Sequence, residues 1–444
     1  MRSWLALAMA MLVSLGGCTR GPEQPKLSGE GYLLVWTGDA DRQNADFLAV
    51  IGADPSAKTY GKVLRTIPVR SRGNEPQALV GDLRDDRRVF ASGVLSNRTF
   101  VFDASEPAKT RLLAIDEPTG GRRLAAPHAL ASLPNGHVIV TAADPLGYRG
   151  EPEELLTRAG GLIELTADGQ FVREIPANDP QARGLIIAPR GVAVLASADR
   201  LLTTNEAHGY AGTTRSEWMP GISAQVWRLS DLTLLKTVIL YAGARGEENL
   251  GPADVRFLHK RPMALIATSL GGALYGSDSL AANEPLFRLL FDFGAGAGGG
   301  QIGLTPDDRY LVEALSGKNQ LVALDLDDPW HPRPASQLRF DRAPEDPERV
   351  RVGRPHGVAM AADGIRIAVA DYTVDVPALR SDGDHRLYMV RLDRLTGKLR
   401  FDTAFRDELT NEVGLDFNRT KWPHGETGAA RPLGMLFVAE APRK

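Results

Sequence analysis

The sequence predicts an all-β protein folded as a single β-propeller of seven blades, each of about four antiparallel strands. Short strand-like runs occur from one end of the 444-residue chain to the other, with almost no helical periodicity. These runs recur in a larger unit of about 45–55 residues, which is typical of a propeller blade. Dividing the length that follows the N-terminal signal and tether by this period gives seven or eight blades, of which we favour seven. A pair of β-sandwiches is the alternative, but it explains the long period less well.

The predicted strands are rich in Val, Ile, Leu and aromatic residues, and most are bounded by Gly, Pro, Asn or Asp. The first six are Tyr32–Trp36, Asp46–Ile51, Gly61–Ile67, Arg88–Ser92, Thr99–Asp103 and Arg111–Ile115. Three later runs with a central turn predict outer hairpins at Gly161–Ile175, Val226–Ile239 and Leu387–Leu399.

The larger unit reads as a strand, a tight turn, a second apolar strand, a loop and a further strand. It occurs at Val80–Asp103 (turn Asp85-Asp86), His128–Leu165 (turn Asn135-Gly136), Ile302–Asp325 (turn Asp307-Asp308) and His356–Asp393 (turn Asp363-Gly364). A propeller must close its ring. We therefore expect the late strand Met435–Ala439 to pair beside Tyr32–Trp36.

Three segments interrupt the regular pattern. Pro145–Ala159 predicts a loop with a short helix, and His208–Ser223 predicts a long irregular loop. The glycine-rich run Gly294–Gly300 predicts a flexible crossing between blades.

The N-terminus predicts a bacterial lipoprotein. A basic start and a short apolar run lead to Leu15-Gly-Gly-Cys18, which has the small residues and the thiol of a lipoprotein cleavage box. The apolar run is too short to remain as a membrane span, although an ordinary secretory signal with a chance cysteine is the alternative. We predict a signal peptide at residues 1–17, a lipidated tether at 18–30 and the propeller at 31–444. Thr19 after the cysteine favours the periplasmic face of the outer membrane over the inner membrane.

Composition excludes several classes of function. The net charge is −3 and no Lys/Arg-rich run is present, so the sequence lacks the basic clusters that are typical of nucleic-acid-binding proteins. Cys18 is the only cysteine, so no thiol remains for chemistry once it is acylated. No EF-hand, P-loop, zinc-protease helix or Gly-x-Ser-x-Gly elbow occurs.

Four histidines are candidate metal ligands. His128 and His356 each follow a proline at the start of a predicted innermost strand, where the blades converge on the central channel. His259 ends the run Val255–His259, and His424 follows Pro423. Imidazoles that meet at one channel mouth suit Cu, Zn or Fe. For any single histidine, the stronger interpretation is structural, since it can cap a turn or bond a main-chain carbonyl of the next blade. Of the other four, His137, His331 and His385 are predicted on the surface, and His208 is left unassigned.

Carboxylates at strand ends are candidate bases or oxygen ligands. Glu206 ends Leu201–Glu206, Asp371 ends another predicted inner strand, and Asp144 follows a third. We take Glu206 as the candidate catalytic base. The alternative for each is that it accepts hydrogen bonds from loop amides.

Several phrases resemble the selenium-binding protein/methanethiol oxidase family. They are DFLAVIGADPSAKTYGKV from Asp46, VRFLH ending at His259, LTPDDRYL from Leu304 with DLDDPWHPRP from Asp325, and HALAS from His128. The resemblance is patchy but spans most of the chain. It implies a seven-bladed propeller and, from the better-known bacterial members, a periplasmic copper enzyme that oxidises methanethiol.

The chain departs from the family pattern at several implied site positions. The first histidine of the family's HTSH phrase falls at Ala125, and the cysteine after the second falls at Ala129. The histidine of its NWLHG phrase falls at Ser316, and the paired cysteines are missing. The sequence thus favours a lipid-anchored periplasmic propeller that binds a small molecule or a protein at its channel mouth. The alternative is a copper-dependent oxidase of small thiols with copper on His128, His259 and His356.

Overall fold

The computed structural model describes residues 29–81, 87–118, 121–143, 159–208, 219–282, 285–375 and 380–439. The predicted signal peptide, Cys18 and nearly all of the predicted tether lie outside these residues. So do the Asp85-Asp86 turn, Asp144 and most of the two predicted insertions. Within the described ranges, no helix has the length and apolarity needed to cross a lipid bilayer.

Seven antiparallel blades form the fold, which confirms the predicted propeller. Blade 1 contains β1 (Tyr32–Asp39), β2 (Phe47–Gly52), β3 (Val63–Pro68) and, from the other end of the chain, β33 (Ala430–Val438). Blade 2 contains β4 (Pro76–Gly81), β5 (Arg88–Gly93), β6 (Arg98–Asp103) and β7 (Arg111–Asp116). Blade 3 contains β8 (Leu130–Ser132), β9 (Val138–Ala142), β10 (Gly161–Leu165) and β11 (Phe171–Pro176).

Blades 4, 5 and 6 are each built from four strands that are consecutive in the sequence. Blade 4 contains β12 (Pro189–Leu195), β13 (Arg200–His208), β14 (Met219–Arg228) and β15 (Thr233–Ile239). Blade 5 contains β16 (Pro252–Phe257), β17 (Ala264–Thr268), β18 (Ala273–Ser277) and β19 (Arg288–Asp292). Blade 6 contains β20 (Gly299–Leu304), β21 (Tyr310–Leu315), β22 (Gln320–Asp325) and β23 (Arg333–Arg339).

Blade 7 carries the additional short strands. It contains β26 (Pro355–Met360), β27 (Arg366–Asp371), β30 (Arg386–Leu392), β31 (Leu399–Phe401) and β32 (Leu415–Asp416), the last paired with β30. Two small hairpins lie outside the blades, β24 (Arg342–Ala343) with β25 (Asp346–Val350) and β28 (Thr373–Asp375) with β29 (Arg380–Asp382). Single 3₁₀ turns occur at Pro107–Lys109, Ala196–Ala198 and Ser316–Lys318.

The innermost strands form a closed ring. Each contacts the innermost strand of the next blade, in the order β33, β4, β8, β12, β16, β20, β26 and back to β33. The predicted closure is confirmed, since Tyr32 pairs with Val438 and Val35 with Met435. The inner strands, β33 included, begin at one face of the ring, which we call the mouth, and end at the opposite face, which we call the base.

The strands have few polar positions because both faces of a blade pack against a neighbouring blade. Leu33 and Val35 of β1 join a cluster with Met389 of blade 7. Leu34 and Trp36 alternate with them and join a cluster with residues of blade 2. Alternate residues on one strand therefore bury apolar area against two different blades, and the strand reads as a continuous apolar run.

The glycine-rich run differs from its prediction. Only its first part, up to residue 298, is a crossing between blades, and Gly299 and Gly300 belong to β20. A methyl group on Gly299 would lie 2.6 Å from the carbonyl oxygen of Thr268, and one on Gly300 would lie 2.8 Å from that of His356. These glycines are required because neighbouring backbones approach closely, rather than for flexibility.

Candidate functional site

A small cavity lies at the mouth, where the inner strands of six blades begin. Its volume is about 60 Å³, which limits an occupant to a few non-hydrogen atoms. The lining residues are Gln77, Ala78, His128, Ala129, Arg190, Gly191, Glu206, Ala253, Asp254, Gly299, Gly300, Gln301 and His356. We call this space the mouth cavity.

Six chain segments, one at the start of the inner strand of each of blades 2 to 7, line the cavity, and five of them share a dipeptide pattern. A proline (Pro76, Pro127, Pro189, Pro252 or Pro355) precedes the residue that lines the cavity. Proline is tolerated at a strand start because its missing N–H would have no partner there. In blades 2, 4, 5 and 7 the pairing with the second strand shifts directly after this proline, as in a β-bulge. A bulge re-aims the side chain that follows it, here toward the ring axis.

Three buried hydroxyls fix the cavity segments of successive blades relative to each other. Ser92 accepts a hydrogen bond from the Ala78 N–H at 3.1 Å and donates to the carbonyl of His128 at 2.6 Å. Thr141 accepts from the Ala129 N–H at 3.0 Å and donates to the carbonyl of Arg190 at 2.6 Å. We call these residues, with Thr204, the bridging hydroxyls.

Thr204 continues the series in blade 4. It accepts from the Gly191 N–H at 2.9 Å and donates to the carbonyl of Ala253 at 2.8 Å. Blades 5 and 6 use acceptors instead. Asp254 accepts from the Ile302 N–H at 2.9 Å, and the side-chain oxygen of Gln301 accepts from the Val358 N–H at 3.1 Å. Five consecutive blade junctions therefore carry a side chain that hydrogen bonds to the next inner strand.

Arg190 is the central charged group of the mouth cavity. Its guanidinium lies 2.9 Å from Nδ1 of His128 and 3.3 Å from the carboxylate of Glu206, and it donates to Gln77 Oε1 at 3.2 Å. The Arg190 and Glu206 side chains are 24% and 17% exposed, so both still reach the cavity surface. The arrangement offers a hydrogen-bond donor and an acceptor side by side.

Both cavity histidines are neutral at physiological pH. Burial, followed by the charge of Arg190, lowers the pKa of His128 well below its usual value and that of His356 to about 4. A guanidinium only donates hydrogen bonds, so His128 accepts at Nδ1 and carries its proton on Nε2. The structure thus brings three of the candidate site residues, His128, His356 and Glu206, to one cavity.

His259 and His424 do not line this cavity, so the structure does not bring the four candidate histidines to one place. His259 follows the base end of β16, whereas Asp254 at the other end of that strand lines the cavity, and Nδ1 of His259 lies 2.7 Å from Asp308 in a base turn. His424 lies 2.6 Å from the hydroxyl of Thr66 and 3.0 Å from Glu426. A Pro-His dipeptide marks the mouth only when the proline begins an inner strand, and Pro423 lies in a loop before β33.

The remaining candidates also lie elsewhere. Asp371 is buried at the end of β27, where it accepts a hydrogen bond from the Arg354 N–H, and it does not line the mouth cavity. His331 is 79% exposed, as predicted for a surface histidine, and His137 lies 2.7 Å from the carboxylate of Glu164.

The contacts of His128 oppose a copper ion in this cavity. Nδ1 of His128 is occupied by a guanidinium, and Nε2 holds the imidazole proton. The charge of Arg190 also lowers the pKa of both His128 and His356, so the same guanidinium would repel a metal cation bound to these imidazoles. In the part of the chain that the structure describes, no group of three or more His, Cys, Asp or Glu side chains is placed to hold a metal ion.

Sequence reasoning missed Arg190, Gln77, Asp254, Gln301 and the bridging hydroxyls. The signal that could have found the first two is the proline at the start of five of the cavity segments, because it precedes a cavity residue whether or not that residue is a histidine. The bridging hydroxyls depend on contacts between blades, which a single sequence does not display.

Comparison with known proteins supports the family resemblance seen in the sequence. No protein-family profile matches the chain. A methanethiol oxidase from Hyphomicrobium sp is 32% identical over 143 residues, which are 31% of this chain and 32% of that enzyme. The chain therefore matches only about a third of the length of this relative.

Solved structures extend the comparison to the whole fold. A hypothetical selenium-binding protein from Sulfolobus tokodaii superimposes with a TM-score of 0.74 over 95% of both chains, at 15% identity. A periplasmic gluconolactonase from Pseudomonas aeruginosa gives a TM-score of 0.60 over 92% of this chain and 99% of its own, also at 15% identity. Identities this low show a shared fold and nothing about activity. Together with the sequence match, they confirm the resemblance to the selenium-binding protein/methanethiol oxidase family.

Proposed function

We propose that this chain, which resembles the selenium-binding protein/methanethiol oxidase family in sequence and fold, is a lipid-anchored periplasmic protein that binds a small polar molecule in its mouth cavity. The observation that carries the proposal is the pairing of Arg190 with Glu206 at 3.3 Å, partly exposed at the convergence of six blades. Concave sites with a few convergent polar groups on a rigid scaffold are typical of ligand binding.

The polar groups of the cavity define the chemistry of the ligand. Arg190 donates to an acceptor such as a carboxylate, carbonyl or hydroxyl oxygen, and Glu206 or Asp254 accepts from a hydroxyl or thiol. The carboxylates balance the guanidinium, so the site selects a small molecule that carries both a donor and an acceptor rather than a bare anion. His128 supplies a further N–H from Nε2.

The position of the predicted tether supports the orientation of the site. Glu30 lies at the base, where its carboxylate accepts from the Ala362 N–H at 2.7 Å and its carbonyl accepts from Arg366 at 2.8 Å. A lipid anchor that precedes Glu30 would attach the base to the membrane and leave the mouth open to the periplasm. This geometry favours a soluble ligand or partner.

A thermal-shift series tests the binding proposal. The probes are glycolate, acetate and 2-mercaptoethanol, and the variants are Arg190→Gln, Glu206→Gln and the surface control Arg228→Gln. We expect at least one probe with both a donor and an acceptor to raise the Tm of the wild type and of Arg228→Gln, with the shift lost in the two cavity variants. Equal shifts in all four proteins, or no shift with any probe, would contradict the proposal.

The second candidate function is a copper-dependent oxidase of small thiols, with Glu206 as proton acceptor. The match to a methanethiol oxidase over 143 residues favours it, whereas the contacts of His128 oppose it. Metal analysis after copper loading decides between the two. Stoichiometric copper that is lost in both His128→Ala and His356→Ala would support the oxidase, and copper no higher than in the control His331→Ala would exclude it.

A further inference from the structure

Glu313 is a fully buried carboxyl group that the proposed ligand site does not use. It lies on β21 opposite Ile302 of β20, and Ile302 packs into the apolar cluster shared with blade 5. Glu313 is 0% exposed, and neither of its carboxyl oxygens has a hydrogen-bond partner among the residues that the structure describes. Burying a carboxyl group without a partner is costly, and such groups in native proteins are usually explained by an ordered water or an ion.

A carbonyl oxygen of blade 5 lies beside the same glycine as the carboxyl group of Glu313. A methyl group on Gly299 would lie 2.8 Å from Oε1 of Glu313 and 2.6 Å from the carbonyl oxygen of Thr268, so both oxygens lie beside the Cα of Gly299. Asp254 of blade 5 enters the same junction, where its Oδ2 accepts from the Ile302 N–H. Burial, followed by the charge of Asp254, raises the pKa of Glu313 well above its usual range. The junction thus concentrates acidic oxygens, and no cationic side chain of the described ranges hydrogen bonds to Glu313.

We propose that this junction between blades 5 and 6 binds a calcium-class divalent cation, with ligands from Glu313, Asp254 and the carbonyl of Thr268. Two carboxylates neutralise a divalent charge, and a mixture of carboxylate, carbonyl and water oxygens is the ligand set that Ca²⁺ prefers. Mg²⁺ requires a near-ideal octahedron, which unevenly placed ligands from two blades do not supply. Only two acidic side chains take part, so water completes the coordination.

The mouth cavity provides the route of entry. Asp254 and Gly299 line that cavity, and Glu313 lies directly behind Gly299. Arg256, which is 40% exposed, pairs with Asp254 at 3.2 Å and also donates to the main-chain carbonyls of Ile302 and Val255, so an entering cation has to displace its guanidinium from Asp254. The site shares Asp254 with the mouth cavity, but Glu313 does not line that cavity, and the site does not include Arg190, His128 or His356. The inference therefore goes beyond the proposed function and can fail independently of it.

Calorimetric titration of the chelator-treated full chain with calcium chloride tests the proposal. We expect one Ca²⁺ per chain, with a dissociation constant on the order of 0.1–1 mM as in other extracellular sites, and weaker binding of Mg²⁺. Glu313→Gln should weaken Ca²⁺ binding at least about tenfold, because it removes one of two charged ligands. The control Glu117→Gln changes a 53% exposed carboxylate and should bind as the wild type does.

Stability measurements give a second readout in the same proteins. Without calcium, Glu313→Gln should be at least as stable as the wild type, because it removes an unpaired buried acid. With millimolar calcium the order should reverse, since only the wild type gains stability by binding. No binding to the wild type, or equal binding by Glu313→Gln, would overturn the proposal and leave Glu313 as a protonated buried acid. If Glu313→Gln does not fold, Asp254→Asn and the wild-type titration decide the same question.

Discussion

The hydroxyl of Thr141 in blade 3 donates a 2.6 Å hydrogen bond to the main-chain carbonyl of Arg190 in blade 4. The same hydroxyl accepts from the N–H of Ala129, which lines the mouth cavity next to His128. One side chain therefore sets the distance between the two segments that carry Arg190 and His128. The geometry of the candidate site is a property of blade packing and not of loops.

Thr141→Val should lower the free energy of unfolding by about 1–3 kcal/mol, because it leaves a buried N–H and a buried carbonyl without their partner at almost unchanged volume. The control is Thr233→Val on the exposed outer strand of blade 4, where we expect a change within about 0.5 kcal/mol. Urea unfolding measures both. Equal losses in the two variants would show that the bridging hydroxyl does not hold the blades together.

His356 should make the protein less stable as the pH falls below 6.5. Its pKa is about 4 in the folded protein because of burial and then the charge of Arg190, whereas the unfolded chain titrates near 6.5. Between these values only the unfolded state binds the proton, so this contribution to stability is complete above pH 6.5 and declines toward pH 4.

Urea unfolding at pH 7.5 and pH 5.0 checks this expectation. His356→Gln should reduce the loss of stability between the two pH values by about 2 kcal/mol, since 1.5 pH units of the window are crossed. Some groups, such as Glu313 with its raised pKa, instead stabilise the folded state as the pH falls. They titrate in both proteins, so their effect cancels when the two are compared. The control His331→Gln, which changes a 79% exposed histidine, should leave the pH dependence unchanged. If the free energy of unfolding of His356→Gln fell between the two pH values as much as that of the wild type, His356 would be solvated in the folded protein.

The sequence was sufficient for the architecture because a propeller repeats the same pattern seven times. The predicted strands Arg88–Ser92, Thr99–Asp103 and Arg111–Ile115 agree with β5, β6 and β7 to within one residue. The predicted turns at Asn135-Gly136, Asp307-Asp308 and Asp363-Gly364 each close with a main-chain hydrogen bond.

The site was less predictable because its geometry depends on which end of a strand faces the mouth. His128 and His356 were found through the proline that precedes them, but His259 lies at the base end of the same kind of strand. Arg190 gave no signal of its own, since an arginine in a strand is usually a surface residue. Only the closed ring brings it beside His128.

Arg366→Met should lower the free energy of unfolding by about 3–5 kcal/mol, because it leaves Asp363 as a buried and uncompensated charge. Arg366 is 1% exposed, donates to Asp363 at 2.7 Å and also donates to the carbonyls of Glu30 and Ala53. The control Arg228→Met breaks an exposed ion pair with Asp231 and should cost under about 1 kcal/mol. Similar losses in both variants would show that the buried pair at the base is not structural.

Cys18→Ser should release the protein from the membrane fraction of a Gram-negative host and abolish its labelling by radioactive palmitate. The thiol is the acceptor of the diacylglycerol in the predicted cleavage box, and serine cannot replace it. The neighbouring variant Thr19→Ser keeps the thiol and should remain membrane-bound and labelled. A wild-type protein without label, or a Cys18→Ser protein that stays in the membrane, would contradict the lipoprotein prediction.

The anchored protein should hold its base closer to the bilayer than its mouth. Cys18 is the only cysteine and is blocked by acylation in this prediction, so an introduced cysteine can be labelled selectively. Leu395, 72% exposed in a base turn, and Tyr241, 67% exposed after a strand that ends at the mouth, are matched reporter positions. In vesicles that contain nitroxide-labelled lipid, a fluorophore on Leu395→Cys should be quenched more than one on Tyr241→Cys, because Glu30, the last residue of the predicted tether, lies at the base. Stronger quenching at Tyr241→Cys would mean that the mouth faces the membrane and that its ligand is a lipid-phase molecule.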